Sequence, residues 1–198
     1  MGKIFYLTGK SCAGKDSLYN ILKNDEELDL HPVIRYTTRP IRDKETDGVS
    51  YHFVDMDGYG SFRDSGKIIE EQVYHTVHGD WYYFTADDGG IDLKNRNYLA
   101  VGVLESFAGT RDHYGTDSVI PIYIELDDGE RLQRALLRER LPGNERYAEM
   151  CRRFLADDHD FREERIRELG ITDEARFYND DLEDCARRIK EWILKSIR

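Results

Sequence analysis

The stretch YLTGKSCAGKDSL, residues 6–18, restricts this chain more than any other. A short apolar run, KIFYLT (3–8), reads as a strand and leads into Gly9; Gly14 and Lys15 follow at GxxxxGK spacing. GKDSLYNILKND then opens a helix with Leu18, Ile21 and Leu22 on one face. A glycine loop between a strand and a helix turns backbone N–H groups inward and adds the positive end of the helix dipole. The result is an anion cradle, and its lysine reaches the outer phosphates of a nucleotide. The pattern breaks at one position: after Lys15 comes Asp16, where a Ser or Thr hydroxyl normally binds Mg²⁺, with Ser17 beside it. Either the Asp16 carboxylate takes over the metal together with Ser17, or it caps the first helical turn, where a negative charge is favourable. Cys12 is a thiol of lowered pKa near a helix N-terminus or simply a small loop residue.

Beyond the loop, apolar runs bounded by turn residues alternate with charged, helix-period segments, which marks an α/β fold. YLAVGVLE (98–105) and SVIPIYIEL (118–126) are mostly apolar, as strands buried on both faces should be. DDGERLQRALLRER begins with a capping aspartate and continues as a helix that carries Arg134 and Arg138 one turn apart. DLEDCARRIKEWILKSI places Leu182, Ile189 and Ile193 at core spacing. Between these parts, YHFVD and KIIEEQVYHTVHGDWYYFT have the short aromatic runs of β hairpins and interrupt the alternation, as a substrate-holding insertion would.

With 198 residues, the chain is expected to form one domain. Its net charge of -11, with no basic stripe to offset it, argues against nucleic acid as a partner. Three cysteines without CxxC spacing support neither a disulfide framework nor a zinc site, so a reducing cytoplasm is expected. No apolar run approaches membrane-spanning length, which leaves no membrane anchor to expect. His31, His52, His75, His78, His113 and His159 show no metal-ligand spacing.

A second constellation, YTTRPIRDKETDGVSYHFV, sets Arg39 and Arg42 in one loop of an acidic protein, with Tyr51 nine residues beyond Arg42. Guanidinium forks suit bidentate phosphate capture, and a tyrosine hydroxyl can complete the shell; a solvated basic loop is the plain alternative.

The order GxxxxGK, TTRxxR, GxxYxFV, an IIE strand, an arginine-bearing helix and a late NDDL resembles the guanylate kinase family over nearly the whole chain. That resemblance implies a P-loop kinase three-layer fold, with a parallel central sheet, a small β-rich acceptor-binding insertion and an arginine-bearing helical lid. It further implies a single domain, 1–198: a core of 1–34, 86–129 and 155–198, an insertion at 35–85 and a lid at 130–154. The activity implied is transfer of a phosphoryl group from ATP, with Mg²⁺, to a nucleoside monophosphate, GMP or dGMP first, by a monomer or homodimer. Gly9, Ser11, Gly14, Lys15, Asp16, Ser17 and Asn179 would lie on ATP, although Asn179 with Asp180 could equally cap the last helix. Arg39, Arg42, Tyr51 and Tyr82 would clamp the acceptor phosphate, and Glu70 would hydrogen-bond the guanine edge. Arg138 and Arg153 match the lid arginines that, with Lys15, neutralise the transferring group; Arg134 or Arg152 could exchange roles with them.

The chain also departs from the family. Where the family has base-contacting serines, Arg35 and Phe84 are expected to stand, and where it has a DxD pair, Ala100 and Gly102. The phosphate half of the acceptor site is kept and the base half is rewritten. Two further functions follow from that rewriting: a guanylate-kinase-like binding module without turnover, and a kinase of another small phosphorylated acceptor.

Overall fold

The computed structural model describes residues 1–76, 79–141, 143 and 146–197; His78 lies outside them. Strand β1 (Ile4–Gly9) alternates its side chains between two buried faces, which requires cover on both sides. Phe5 and Leu7 meet Leu18 and Leu22 of helix α1 (Lys15–Lys23) and Ile189 and Ile193 near the C-terminus. Ile4 and Tyr6 meet Leu104, Phe107, Phe161 and Ile166 on the other face. This is the three-layer arrangement expected of the fold class.

The remaining strands of the central sheet are β2 (Leu30–Pro32), β7 (Asn97–Val101), β8 (Val119–Glu125) and β9 (Arg176–Tyr178). Their order is β2-β7-β1-β8-β9, and every pairing is parallel. β7 is shorter than the apolar run that encodes it, because helix α3 (Leu104–Tyr114) already begins at Leu104. A second sheet, of order β4-β3-β6-β5, is formed by β3 (Tyr36–Thr37), β4 (His52–Phe53), β5 (Ile68–Thr76) and β6 (Gly79–Ala86). Helix α2 (Met56–Asp64) covers one face of it through Tyr59 and Phe62, against Tyr36, Phe84 and Tyr82. The other face is lined by residues one step out of phase, as the two-residue period of a strand dictates.

Helix α4 (Asp128–Glu139) is capped by Asp127, whose carboxylate accepts from the amides of Gly129 and Glu130. Helices α5 (Tyr147–Asp160) and α6 (Glu163–Glu168) follow, and α7 (Leu182–Ile197) closes the chain against α1. Among the described residues no helix is long and apolar enough to cross a membrane.

Candidate active site

The loop from Gly9 to Lys15 is held in shape by contacts that admit no larger residue at two points. Gly9 has φ 149°, and a Cβ there would overlap the Ile124 carbonyl oxygen. Gly14 has φ 96°, and a Cβ there would overlap the Asn179 amide. Asn179 is 1% exposed; its Nδ2 donates to Ala13 O at 2.7 Å and its backbone N–H to Glu125 O at 2.8 Å. It therefore braces the loop from beneath. Helix α7 takes its cap from Asp181 instead, whose carboxylate accepts from the Asp184 amide at 2.8 Å, so the capping alternative for Asn179 falls.

Lys15 Nζ folds back over the loop and donates to Gly9 O at 2.7 Å and Lys10 O at 2.9 Å. Burial pushes its pKa below the usual lysine value, against the pull of Asp16 and Asp157. Asp16 and Ser17 are exposed in the first turn of α1, and the Asp16 carboxylate accepts no hydrogen bond from the described residues. Asp16 thus makes no capping bond. A free carboxylate with a hydroxyl beside it, at a phosphate loop, fits a Mg²⁺ ion that draws its other ligands from phosphate and water. Among the described residues no three His, Cys, Asp or Glu side chains converge as a protein-only metal cage.

The outer side of the loop is gripped by a group that sequence reasoning missed. Arg131 of α4 is 1% exposed; its Nε donates to Ser11 O at 2.9 Å and its Nη2 to Asp157 of α5 at 2.8 Å, while Nη1 pairs with Asp128. Asp157 in turn accepts from the Ser11 backbone N–H at 2.8 Å and from its Oγ at 3.3 Å. Both polar groups of the Ser11 peptide are thus held by one buried ion pair from the helices that follow β8. Lys10 is paired outward with Asp158 at 2.8 Å. Arg134 lies near Gly14 and donates to Asn179 O at 3.2 Å. Arg138 and Arg153 are half-exposed along their helices, Arg138 beside Glu139 and Arg153 donating to Glu149 at 2.8 Å. It is Arg131 and Arg134, not that pair, that touch the loop and its brace.

Across the cleft, Arg39 is buried, with its fork fixed by Glu45 at 2.7 and 3.0 Å and its Nε donating to the Tyr83 hydroxyl at 2.8 Å. Tyr51 lies against the Tyr83 ring, centroids 5.6 Å apart, and beneath the Arg39 guanidinium. Arg42 stands exposed in the same loop. Tyr82 is not part of this group: it points to the opposite face and stacks on Tyr59 at 4.3 Å. Tyr83 occupies the place expected of Tyr82. The same one-residue correction applies to Phe84, which is fully buried among Tyr36, Tyr59 and Phe62, while Thr85 faces the site. Glu70 accepts from Thr85 Oγ1 and from Arg35 Nε and Nη2. At the end of β7, Gly102 has no room for a side chain, because the Tyr6 hydroxyl occupies the space a Cβ would need.

A parallel sheet with a glycine loop after its first strand, Lys15 in that loop and a second, mixed sheet define a P-loop architecture. A family model described as guanylate kinase matches residues 1–86. Guanylate kinase from Paraburkholderia xenovorans is 40% identical over 82 residues, 41% of this chain and 34% of that protein. The first curated relatives are thus matched over about a third of their own length, and the one from Aromatoleum aromaticum over 38%. Guanylate kinase from Porphyromonas gingivalis aligns end to end, with 27% identity over 199 residues, 100% of this chain and 99% of that one. The crystal structure of guanylate kinase from Anaplasma phagocytophilum superimposes with TM-score 0.66 at 20% identity, covering 98% of this chain and 85% of the other, and shares its fold. The chain is thus similar to guanylate kinases over residues 1–86 and, at lower identity, along its whole length.

Proposed function

We propose that the protein transfers the γ-phosphoryl group of ATP to a nucleoside monophosphate, with GMP as first acceptor: GMP + ATP gives GDP + ADP. The observation that carries this reading is the phosphate loop, with Lys15 in place and its apex pinned by Arg131 and Asp157, in one chain with a second cluster of Arg39, Tyr51 and Tyr83 in which Glu45 holds the Arg39 fork. The names of the relatives matched end to end and over the first 86 residues support GMP as the acceptor.

An oxygen of the acceptor phosphate attacks the γ-phosphorus as the bond to the β,γ-bridging oxygen breaks, and the electron pair leaves with ADP. The acceptor oxygen is already anionic, so no general base is needed. What remains is positioning and neutralisation of charge spread over the phosphoryl oxygens. Lys15 would release its two carbonyl partners and turn to the outer phosphates. Arg39, Arg42, Tyr51 and Tyr83 would hold the acceptor phosphate, and Arg138 and Arg153 would approach from α4 and α5. Asp16 and Ser17 would hold Mg²⁺, which supplies charge neutralisation between the outer phosphates when bound.

A coupled ADP-release assay with GMP, dGMP and the other monophosphates tests the proposal. ADP release with an acceptor, lost at least a thousandfold in Lys15→Met, is the expected result. Release with no acceptor, while nucleotides still bind, would instead identify a binding module.

A further inference from the structure

Glu70 is the carboxylate that the wall of the acceptor site offers to a base, yet it is the less accessible member of a pair. Its side chain is 4% exposed, beneath Arg35 at 16%. One oxygen, Oε1, takes Arg35 Nε at 3.1 Å and Thr85 Oγ1 at 2.5 Å; the other, Oε2, takes Arg35 Nη2 at 3.0 Å. Nη2 also donates to the Tyr83 carbonyl at 3.3 Å. Nη1 is left as the nitrogen of Arg35 without a partner among the described residues. Helix α3 presses on this arrangement, since a Cβ on Gly109 would collide with Glu70 Cβ, so the carboxylate has little freedom to swing out. The other side that could offer an acceptor ends at Gly102, whose side-chain space is filled by the Tyr6 hydroxyl.

A guanidinium carries donors only, so whatever meets Nη1 must bring a lone pair. Guanine presents N1–H and a 2-amino group as donors and O6 and N7 as acceptors. A base that turned these donors toward Glu70 would meet a carboxylate already paired with Arg35, and an O6 beside them would meet the free Nη1. We infer that Arg35, held in place by Glu70, reads the base through a lone pair such as O6, and that the 2-amino group of guanine goes unread. The substrate class is then the 6-oxopurine monophosphates, GMP and IMP alike. This rests on the acceptor reading proposed above.

Calorimetric binding of GMP and of IMP, which lacks the 2-amino group, tests it on the full chain without ATP. In the unaltered protein the two dissociation constants should lie within about fivefold. Arg35→Ser uncovers Glu70 and should raise the preference for GMP over IMP at least fivefold, whereas Glu70→Gln should leave the ratio unchanged. A preference for GMP beyond fivefold in the unaltered protein overturns the inference. So does a ratio that Arg35→Ser leaves alone, the result expected if the pair only braces the sheet. Should Arg35→Ser fail to fold by circular dichroism, Glu70→Gln decides: a fall in GMP binding relative to IMP means that Glu70 touches the 2-amino group, and the inference fails. Binding of neither nucleotide overturns it as well. ADP release is measured separately with both nucleotides, and binding without phosphorylation refutes the kinase reading while leaving the base reading intact.

Discussion

Asp157→Ala tests whether the buried pair on the loop apex positions the nucleotide. Asp157 is 13% exposed at its side chain and accepts three hydrogen bonds, from Arg131, the Ser11 amide and the Ser11 hydroxyl. Breaking one partner of a buried ion pair costs about 3–5 kcal/mol, because the other charge is left without compensation. Arg131 keeps Asp128 and the Ser11 carbonyl, which compensate part of its charge, so the cost falls to the foot of that range or below it, about 2–3 kcal/mol. For a chain of this size each kcal/mol lowers the melting temperature by about 2–4 °C, which gives a fall of about 4–12 °C by circular dichroism. The loop should also loosen, and the Kd for ATP should rise roughly tenfold, equivalent to about 1.4 kcal/mol. Asp157→Asn keeps an acceptor for the Ser11 amide while losing the charge, and should show about half the thermal loss with a smaller change in ATP affinity. The half-buried pair Lys190–Asp25, 2.7 Å apart and away from the loop, is the control: Asp25→Ala should cost about 1 kcal/mol and leave ATP binding alone. Melting within 1 °C of the unaltered protein, together with unchanged ATP affinity in Asp157→Ala, would refute the positioning role.

Tyr83→Phe removes the hydroxyl that meets Arg39 and should raise the KM for the acceptor about five- to tenfold, the worth of about one hydrogen bond, while Tyr82→Phe should change it less than twofold. The reverse order would return Tyr82 to the phosphate clamp. Asp16→Ala should raise the Mg²⁺ concentration for half-maximal turnover at least fivefold and weaken Mn²⁺ binding to the ADP complex seen by paramagnetic resonance. Asp16→Ser should restore both in part, and a metal requirement unmoved in both variants removes the metal role. Hydrogen bonds from Arg152 and Arg153 hold the Glu149 carboxyl down at about 2, below its ordinary 4.5. Since the folded value is the lower one, this stabilisation is present above about pH 4.5 and is lost as pH falls toward 2. Glu149→Gln should therefore flatten the acid limb of stability in that window, as read by acid titration of helicity, and an unchanged limb would refute the assignment.

The phosphate loop was legible because its determinants are local: two glycines at left-handed or crowded positions and a lysine at fixed spacing define it within seven residues. The second sheet was legible as a set of strands but not in its facing. A register irregularity between Ile68 and Glu70 shifts the pairing of β5 with β6, so Glu70 lies opposite Thr85 and Glu71 opposite Phe84. A slip of one residue exchanges the two faces of a strand, and such a slip separates the expected Tyr82 and Phe84 from the Tyr83 and Thr85 that stand there. Arg131 was out of reach for a different reason. Its partners, Ser11 and Asp157, are 120 and 26 residues away, and an arginine in a charged helix reads as solvated until the fold buries it. The acidic pair Asp157 and Asp158, placed within a helix of the arginine-rich region, was the available signal.

The absence of an acid after the third core strand is also a packing matter. Gly102 follows β7 where the guanylate kinase pattern has a carboxylate, and any Cβ there would overlap the hydroxyl of Tyr6, itself buried on β1 and packed edge-on to Phe107 at 5.6 Å. Tyr6 has no free space to retreat into, since its neighbours Leu104 and Phe107 are fully buried. Gly102→Asp should therefore not restore a base-reading carboxylate. It should overpack the floor of the site at a cost of about 1–3 kcal/mol and add an acid beside the phenol that burial has already pushed up. Gly102→Ala separates the two effects, bringing the overlap without the charge. If thermal melting shows both variants as stable as the unaltered chain, Tyr6 is not what keeps the acid away from β7. If both fall together, the shape of the floor excludes an acid there.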